Sequence, residues 1–265
     1  MNRKIGFIGS GNMAVAIIGG IINSGFASPD EVYSSNRTMP KLMDVKVNYG
    51  IQIADNNKEI AETCDVVFLS VKPDTYESVI EEIHDSLNPN AIVVLIAAGQ
   101  TIAENEARLP NEMKVIKAMP NTPALVGEGL TSISINDYIT DQDKMYIKEL
   151  FESIGEVEFI DEELMDVASA IGGSSPAFVY MYIEALADAA VLKGMPRDQA
   201  YKIAAQATLG AAKMVAVTDE HPGKLKDDVC SPGGSTIQSV ASLEEHGFRN
   251  AIIQAVKSNV KKLEK

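Results

Sequence analysis

The apolar positions of this chain fall into two textures. Through roughly the first 160 residues, short β-rich runs alternate with stretches of helical spacing, as a parallel sheet joined by crossover helices requires. The pattern predicts strands at residues 4–8, 31–34, 51–53, 66–71, 92–97 and 114–118. Two further strands, at 129–135 and 157–160, flank a helix over 141–153 and close the far edge of the sheet. Val66-Val67-Phe68-Leu69 and Ile92-Val93-Val94-Leu95-Ile96 are unbroken apolar runs, which places them at the sheet's centre with helices on both faces. After Asp161 the strand pattern ends, and Ala-rich helical segments continue to the C-terminus. The expected organisation is an α/β unit over 1–160 and an all-α unit over 161–265. Residues 177–192 are apolar around most of a helix, with Glu184 and Asp188 as the polar stripe, and 197–218 have the same character. One neighbouring helix cannot bury such a surface. Helices of two chains are therefore expected to interleave in a homodimer, with a self-sufficient bundle as the alternative.

The first strand runs into Gly9-Ser10-Gly11-Asn12-Met13-Ala14 and then into an apolar helix holding Val15, Ile17, Ile18 and Ile21. This G-x-G-x-x-A turn at a strand-to-helix junction is a dinucleotide-binding fingerprint. Gly9 permits the turn, Gly11 lets a pyrophosphate approach the backbone, and Ala14 lets helix and strand pack closely. The amides of the helix start then bind phosphate. A Rossmann-type fold is thus expected for the first unit. The second strand ends in Ser34-Ser35-Asn36-Arg37, with no carboxylate to bond the ribose of NAD. Arg37 can pair instead with the 2′-phosphate of NADP, so NADPH is the expected cofactor and NADH the alternative.

In an open parallel sheet the ligand lies beyond the carboxyl ends of the strands. Candidate cleft segments are therefore Val71-Lys72-Pro73, Ala97-Ala98-Gly99 and Met119-Pro120-Asn121-Thr122-Pro123. Near the C-terminus, Ser231-Pro232-Gly233-Gly234-Ser235-Thr236 precedes a helix. Ser231 is read as its N-cap and Pro232 as part of the first turn, with the glycines exposing amides to a small carboxylate.

The formal charge of the 265-residue chain is −14, which disfavours a nucleic-acid partner. Cys64 and Cys230 are isolated from each other, and His84, His221 and His246 lack ligand spacing, so neither a disulfide framework nor a metal site is expected. The N-terminus shows no signal core, and the apolar stretch 176–192 contains Glu184 and Asp188. A cytoplasmic chain without a membrane span is expected.

Together, the motif at 9–14, Val71-Lys72-Pro73, Met119-Pro120-Asn121-Thr122-Pro123 and Val229-Cys230-Ser231-Pro232-Gly233-Gly234-Ser235-Thr236 followed by Gly247-Phe248-Arg249 resemble the pyrroline-5-carboxylate reductase family over nearly the whole chain. The resemblance implies reduction of the cyclic imine 1-pyrroline-5-carboxylate to L-proline, the last step of proline synthesis. It implies cofactor contacts at Ile8, Gly9, Ser10, Gly11, Asn12, Met13, Ser35, Asn36, Arg37, Asn57, Val71, Lys72, Pro73, Ala97, Ala98 and Asn121. It also implies a substrate carboxylate on the amides around Ser231, Gly233, Gly234 and Ser235, a catalytic Thr236 hydroxyl at the ring nitrogen, and Glu162 closing the site from a second chain. Homodimers are expected, with assembly to decamers. Two features depart from the family pattern. Gly172-Gly173-Ser174-Ser175 replaces the usual Ser-Gly-Ser-Gly, and Asp228 stands near the cofactor where relatives carry Asn.

The protein's expected contribution is orientation, holding hydride donor and imine carbon at ~3–3.5 Å. Two other functions fit parts of the pattern. A β-hydroxyacid dehydrogenase shares the two-domain plan, but residues 164–182 contain no lysine to match its catalytic one. A non-catalytic NADPH-binding sensor is the other.

Overall fold

The computed structural model describes residues 3–263. In chain order, β1 (Ile5–Ile8), α1 (Asn12–Asn23), β2 (Val32–Ser35), α2 (Met39–Tyr49), β3 (Gln52–Ile53), α3 (Asn57–Thr63) and β4 (Val66–Leu69) open the first unit. They are followed by α4 (Tyr76–Ile83), β5 (Ile92–Leu95), α5 (Ile102–Glu106), β6 (Lys114–Met119), β7 (Gly129–Ile135), α6 (Asp141–Glu152) and β8 (Gly155–Phe159). The strands form one sheet in the order β3-β2-β1-β4-β5-β6-β7-β8. The chain winds outward from β1 to β3 and then crosses back to β4, so the switch point at which such sheets bind ligands lies between β1 and β4.

Every residue of β1, β4 and β5 is buried, because helices cover both faces. On one face Phe7, Phe68 and Val94 pack with Ile17 and Ile21 of α1 and Leu150 and Phe151 of α6. The Phe7 and Phe68 rings stack at 4.5 Å. On the other, Ile8, Val67 and Leu95 meet Ile60 of α3 and Ile80 and Ile83 of α4. Each such side chain contributes roughly 1.5–3 kcal/mol of burial free energy.

Three details depart from the expected pattern. All strand pairs are parallel except β6–β7. The short 3-10 turn Thr122–Val126 joins these two strands, and only an antiparallel partner is reachable without a crossover. β8 begins at Gly155 instead of 157, because Gly155 lies directly on Gly129, where a Cβ would collide with backbone. β4 and β5 stop at Leu69 and Leu95 instead of 71 and 97. Their next ladder groups are taken by a side chain: the buried Tyr76 hydroxyl donates to Leu69 O at 2.6 Å and accepts from Ile96 N at 3.2 Å and Ala97 N at 3.1 Å.

Compactness divides the chain into a first unit that ends at Gly173 and takes in the chain from Val260, and a second, Ser174–Asn259. Beyond β8 the first unit holds α7 (Met165–Ala168), which touches β7, and all but the last residue of a π-helical turn, Ser169–Ser174. The second unit is built from α8 (Ser175–Leu192), α9 (Arg197–Thr218), α10 (Pro222–Val229), α11 (Ser235–Glu245) and most of α12 (Phe248–Leu263). α8 and α9 pack against each other through small residues, and Ala187, Ala200 and Ala204 are buried there. Tyr180, Met181, Leu186, Ile203 and Leu209 are exposed in the single chain.

Candidate active site

The glycine turn supplies the site's floor. Gly9 has φ +99°, and a Cβ there would stand 2.5 Å from Ser70 O, so only glycine fits. Its amide donates to Ser35 O at 2.9 Å, which ties the turn to the end of β2. Gly11 is the N-cap of α1 and makes no side-chain cap, and the first turn carries no acidic residue. A Cβ at Gly11 would meet nothing nearer than Ser70 O at 3.9 Å, so the space above it is open. The first-turn amides of α1 have no intrahelical acceptors and face this opening with the positive end of the helix dipole.

A pocket of 460 Å³ lies on this turn and is lined by Ile8, Gly9, Ser10, Gly11, Asn36, Arg37, Asn57, Val71 and Lys72 of the expected set. A neighbouring 400 Å³ pocket adds Ser35 and shares Asn36, Arg37 and Asn57. The polar rim is held in place by side-chain bonds. Asn36 donates to Ser10 Oγ, Ser35 Oγ donates to Asn57 Oδ1 at 2.8 Å, and Asn57 Nδ2 donates to Glu82 at 2.8 Å. Three cations, Arg37, Lys41 and Lys72, line the first pocket against one carboxylate, Asp74. In a chain of net charge −14 this concentrates positive potential where phosphates would bind. The donor set, the open space over Gly11 and the cationic rim all fit a phosphorylated dinucleotide.

Other expected cofactor residues stand outside those linings. Asn12 and Met13 form the first turn of α1, Pro73 begins a 3-10 turn beside Lys72, and Ala97 and Ala98 follow β5. Asn121 is buried, and its amide is engaged at both ends: it donates to Gly172 O and accepts from Leu130 N, each at 2.9 Å. It therefore fixes the loop after β6 to the π-helical turn, which also contains the divergent Gly172. Sequence reasoning passed over Lys41, Ser70 and Tyr76. Lys41 was legible as a second cation four residues after Arg37. Ser70 Oγ is buried in the wall of the pocket with no hydrogen-bond partner among the described residues, and no local pattern marks it.

Glu162 occupies different surroundings. Its Oε1 accepts from Ile102 N at 2.8 Å and lies 3.5 Å from Nζ of the buried Lys117. It borders an open 1350 Å³ groove that includes Ile135, Tyr138, Phe159 and Leu164. That groove is larger than the glycine-turn pocket but has a single cation, Lys144, in its lining.

In the second unit, Ser231–Thr236 adopts a geometry that revises the expected cap. Gly233 takes φ +69°, and Gly234 N donates to Ser231 O at 3.0 Å. This tight turn uses up Ser231 and Pro232, so Gly234 is the N-cap and α11 starts at Ser235. Gly234 makes no side-chain cap, which leaves the first-turn amides at Ser235 and Thr236 without intrahelical acceptors. The Thr236 side chain is exposed beside them. Asp228, on α10, pairs with Lys224 at 2.7 Å.

Comparison with known proteins agrees with these features. Residues 162–265 match the family described as pyrroline-5-carboxylate reductase dimerisation, and residues 4–99 match that described as NADP oxidoreductase, coenzyme F420-dependent. The chain is 48% identical to pyrroline-5-carboxylate reductase of Escherichia coli strain K12, over 100% of this chain and 98% of the relative. A Plasmodium falciparum pyrroline carboxylate reductase solved with NADP bound superposes with a TM-score of 0.89 at 34% identity, covering 99% of this chain and 97% of that one. The Coxiella burnetii pyrroline-5-carboxylate reductase gives 0.91 at 32%, covering 100% and 98%. A Rossmann-like sheet unit with an uncapped glycine turn, a helical unit matching the dimerisation family and near-complete coverage by these relatives lead to one conclusion: the chain belongs to the pyrroline-5-carboxylate reductase family.

Proposed function

We propose that this protein is an NADPH-dependent oxidoreductase that reduces 1-pyrroline-5-carboxylate to L-proline. The observation that carries the reading is the full-length relationship to named reductases, joined to a cationic glycine-turn pocket suited to a phosphorylated dinucleotide. Bound NADPH supplies a hydride to the imine carbon. The chain's own residues bind and orient. First-turn amides of α1 hold the pyrophosphate, and Arg37 holds the 2′-phosphate through charge-assisted bonds. Asn12, Met13, Pro73, Ala97, Ala98, Asn121 and Asp228 complete the cofactor set. Amides around Gly233, Gly234 and Ser235, with Ser231, hold the substrate carboxylate. The Thr236 hydroxyl holds the ring nitrogen. Glu162 supports the substrate region of a neighbouring copy. Little acid chemistry is asked of the protein, since the imine is most electrophilic when already protonated.

The same reading includes a functional division at 160/161, a homodimer formed through the second unit with decamers as the higher assembly, and a cytoplasmic setting. One helical stretch among the described residues, Glu162–Leu192, is long and apolar enough to cross a membrane by length and composition. Its beginning is tied into the sheet unit, where Met165 and Ala170 are buried, and its later part carries Glu184 and Asp188. A subunit interface accounts for it better than lipid.

Loss of NADPH absorbance on adding 1-pyrroline-5-carboxylate supports the proposal. Loss only with a keto acid, or cofactor binding without turnover, would refute it. Within that assay, Thr236→Ala should lower kcat roughly tenfold or more, the scale of losing a hydrogen bond to a charged group. Unchanged kinetics would remove Thr236 from the chemistry.

A further inference from the structure

Tyr76 is the first residue of α4, lies three residues past Pro73 of the Val71-Lys72-Pro73 segment, and is 2% exposed. Its hydroxyl uses its donor and both lone pairs on backbone: Leu69 O at the end of β4, and the amides of Ile96 and Ala97 just past β5. In an uninterrupted parallel ladder these groups would bond strand to strand. The phenol oxygen stands between them instead, so the strands part at Leu69 and Leu95. The segments that emerge, Val71-Lys72-Pro73 and Ala97-Ala98-Gly99, are those that the open-sheet rule puts against the ligand.

We infer that Tyr76 is a positioning residue for the nicotinamide half of the dinucleotide: its hydroxyl sets the spacing of the β4 and β5 ends, and through it the width of the cleft there. The inference rests on the NADPH reading above. The adenosine half is met by different groups, around Asn36, Arg37 and Lys41, so the two halves respond separately to a change at Tyr76. Tyr76→Phe keeps the ring and its packing and removes only the bridging oxygen. The freed backbone groups would then pair directly or take up water, and either outcome moves Val71 and Ala97.

The test is calorimetric binding of NADPH and of 2′,5′-ADP, which lacks the nicotinamide, to wild type and Tyr76→Phe. NADPH affinity should fall roughly five- to tenfold, the scale of one buried neutral hydrogen bond, and 2′,5′-ADP affinity should stay within about twofold. In turnover, kcat should fall while the KM for the imine changes little. Equal weakening of both ligands, or of neither, overturns the inference. Should Tyr76→Phe fail to fold, amide exchange in wild type decides: NADPH should slow exchange at Ile96 and Ala97 and 2′,5′-ADP should not, and equal slowing or none overturns it. A wild type that binds no NADPH also overturns it. One that binds NADPH but leaves the imine unreduced defeats only the proposed reaction, and the binding comparison still rules on Tyr76.

Discussion

Arg37 and Asp143 show how single charged groups act in this chain. Arg37 is exposed at the rim of the glycine-turn pocket with Lys41 nearby, so its contribution should appear only when a phosphate is there to bind. Arg37→Ala should weaken NADPH roughly tenfold or more, as expected for a charge-assisted bond, while NADH is little affected. An unchanged NADPH to NADH ratio would contradict the assignment. Asp143 works inside the fold. Its buried carboxylate meets Arg3 at 2.8 Å and Lys114 at 2.7 Å, and it also accepts from the Thr140 hydroxyl. Burial alone would push this carboxyl up, but bonds from Lys114, Thr140 and Arg3 outweigh it and hold it at about 2, against 3.8 ordinarily. Because the folded value is depressed, the stabilisation is complete above pH ~4 and is lost as pH falls toward ~2. It amounts to about 2 kcal/mol. Urea unfolding of wild type should lose that increment between pH ~4 and ~2, and Asp143→Asn should lack it. Equal pH dependence in both proteins would count against the cluster.

At the scale of elements, most of the sheet was legible because its signals are local. The unbroken apolar runs of β4 and β5 marked central strands, and the glycine turn marked the strand-to-helix junction. What the pattern missed was decided by groups distant in sequence or by backbone dihedrals. The β4 and β5 ends are set by the Tyr76 hydroxyl, and no periodicity encodes that. The cap of α11 moved to Gly234 because Gly233 adopts a left-handed φ, a choice that composition leaves open between two adjacent glycines. Glu162 was singled out only through the family resemblance, and its bonds to Ile102 N and Lys117 depend on the packing of α5 against β6. The helices of the second unit follow the opposite logic. Their all-round apolar pattern was plain in sequence, and its consequence is an exposed face. Met181 is 68% exposed in the single chain, so a charge there costs the isolated chain little. Met181→Glu should nevertheless shift sedimentation toward the monomer and lower activity. Retention of the wild-type oligomer would show that α8 is not in the interface.

At the scale of the whole molecule, the division of labour is simple. The sheet unit carries the glycine-turn pocket with its helix amides and cations, and in the proposed function the helical unit offers the amides at the start of α11 to the substrate carboxylate and the Thr236 hydroxyl to its ring nitrogen. Under that proposal both units are needed to reduce the imine. If copies associate through the second unit, its thermal midpoint should rise with protein concentration. The most direct measurement uses NADPH carrying deuterium at both C4 positions of the nicotinamide with 1-pyrroline-5-carboxylate. The account predicts proline carrying one deuterium on the ring CH2 beside nitrogen and none on the carbon that bears the carboxylate. Proline without that label, or no proline while NADPH remains bound, would contradict it.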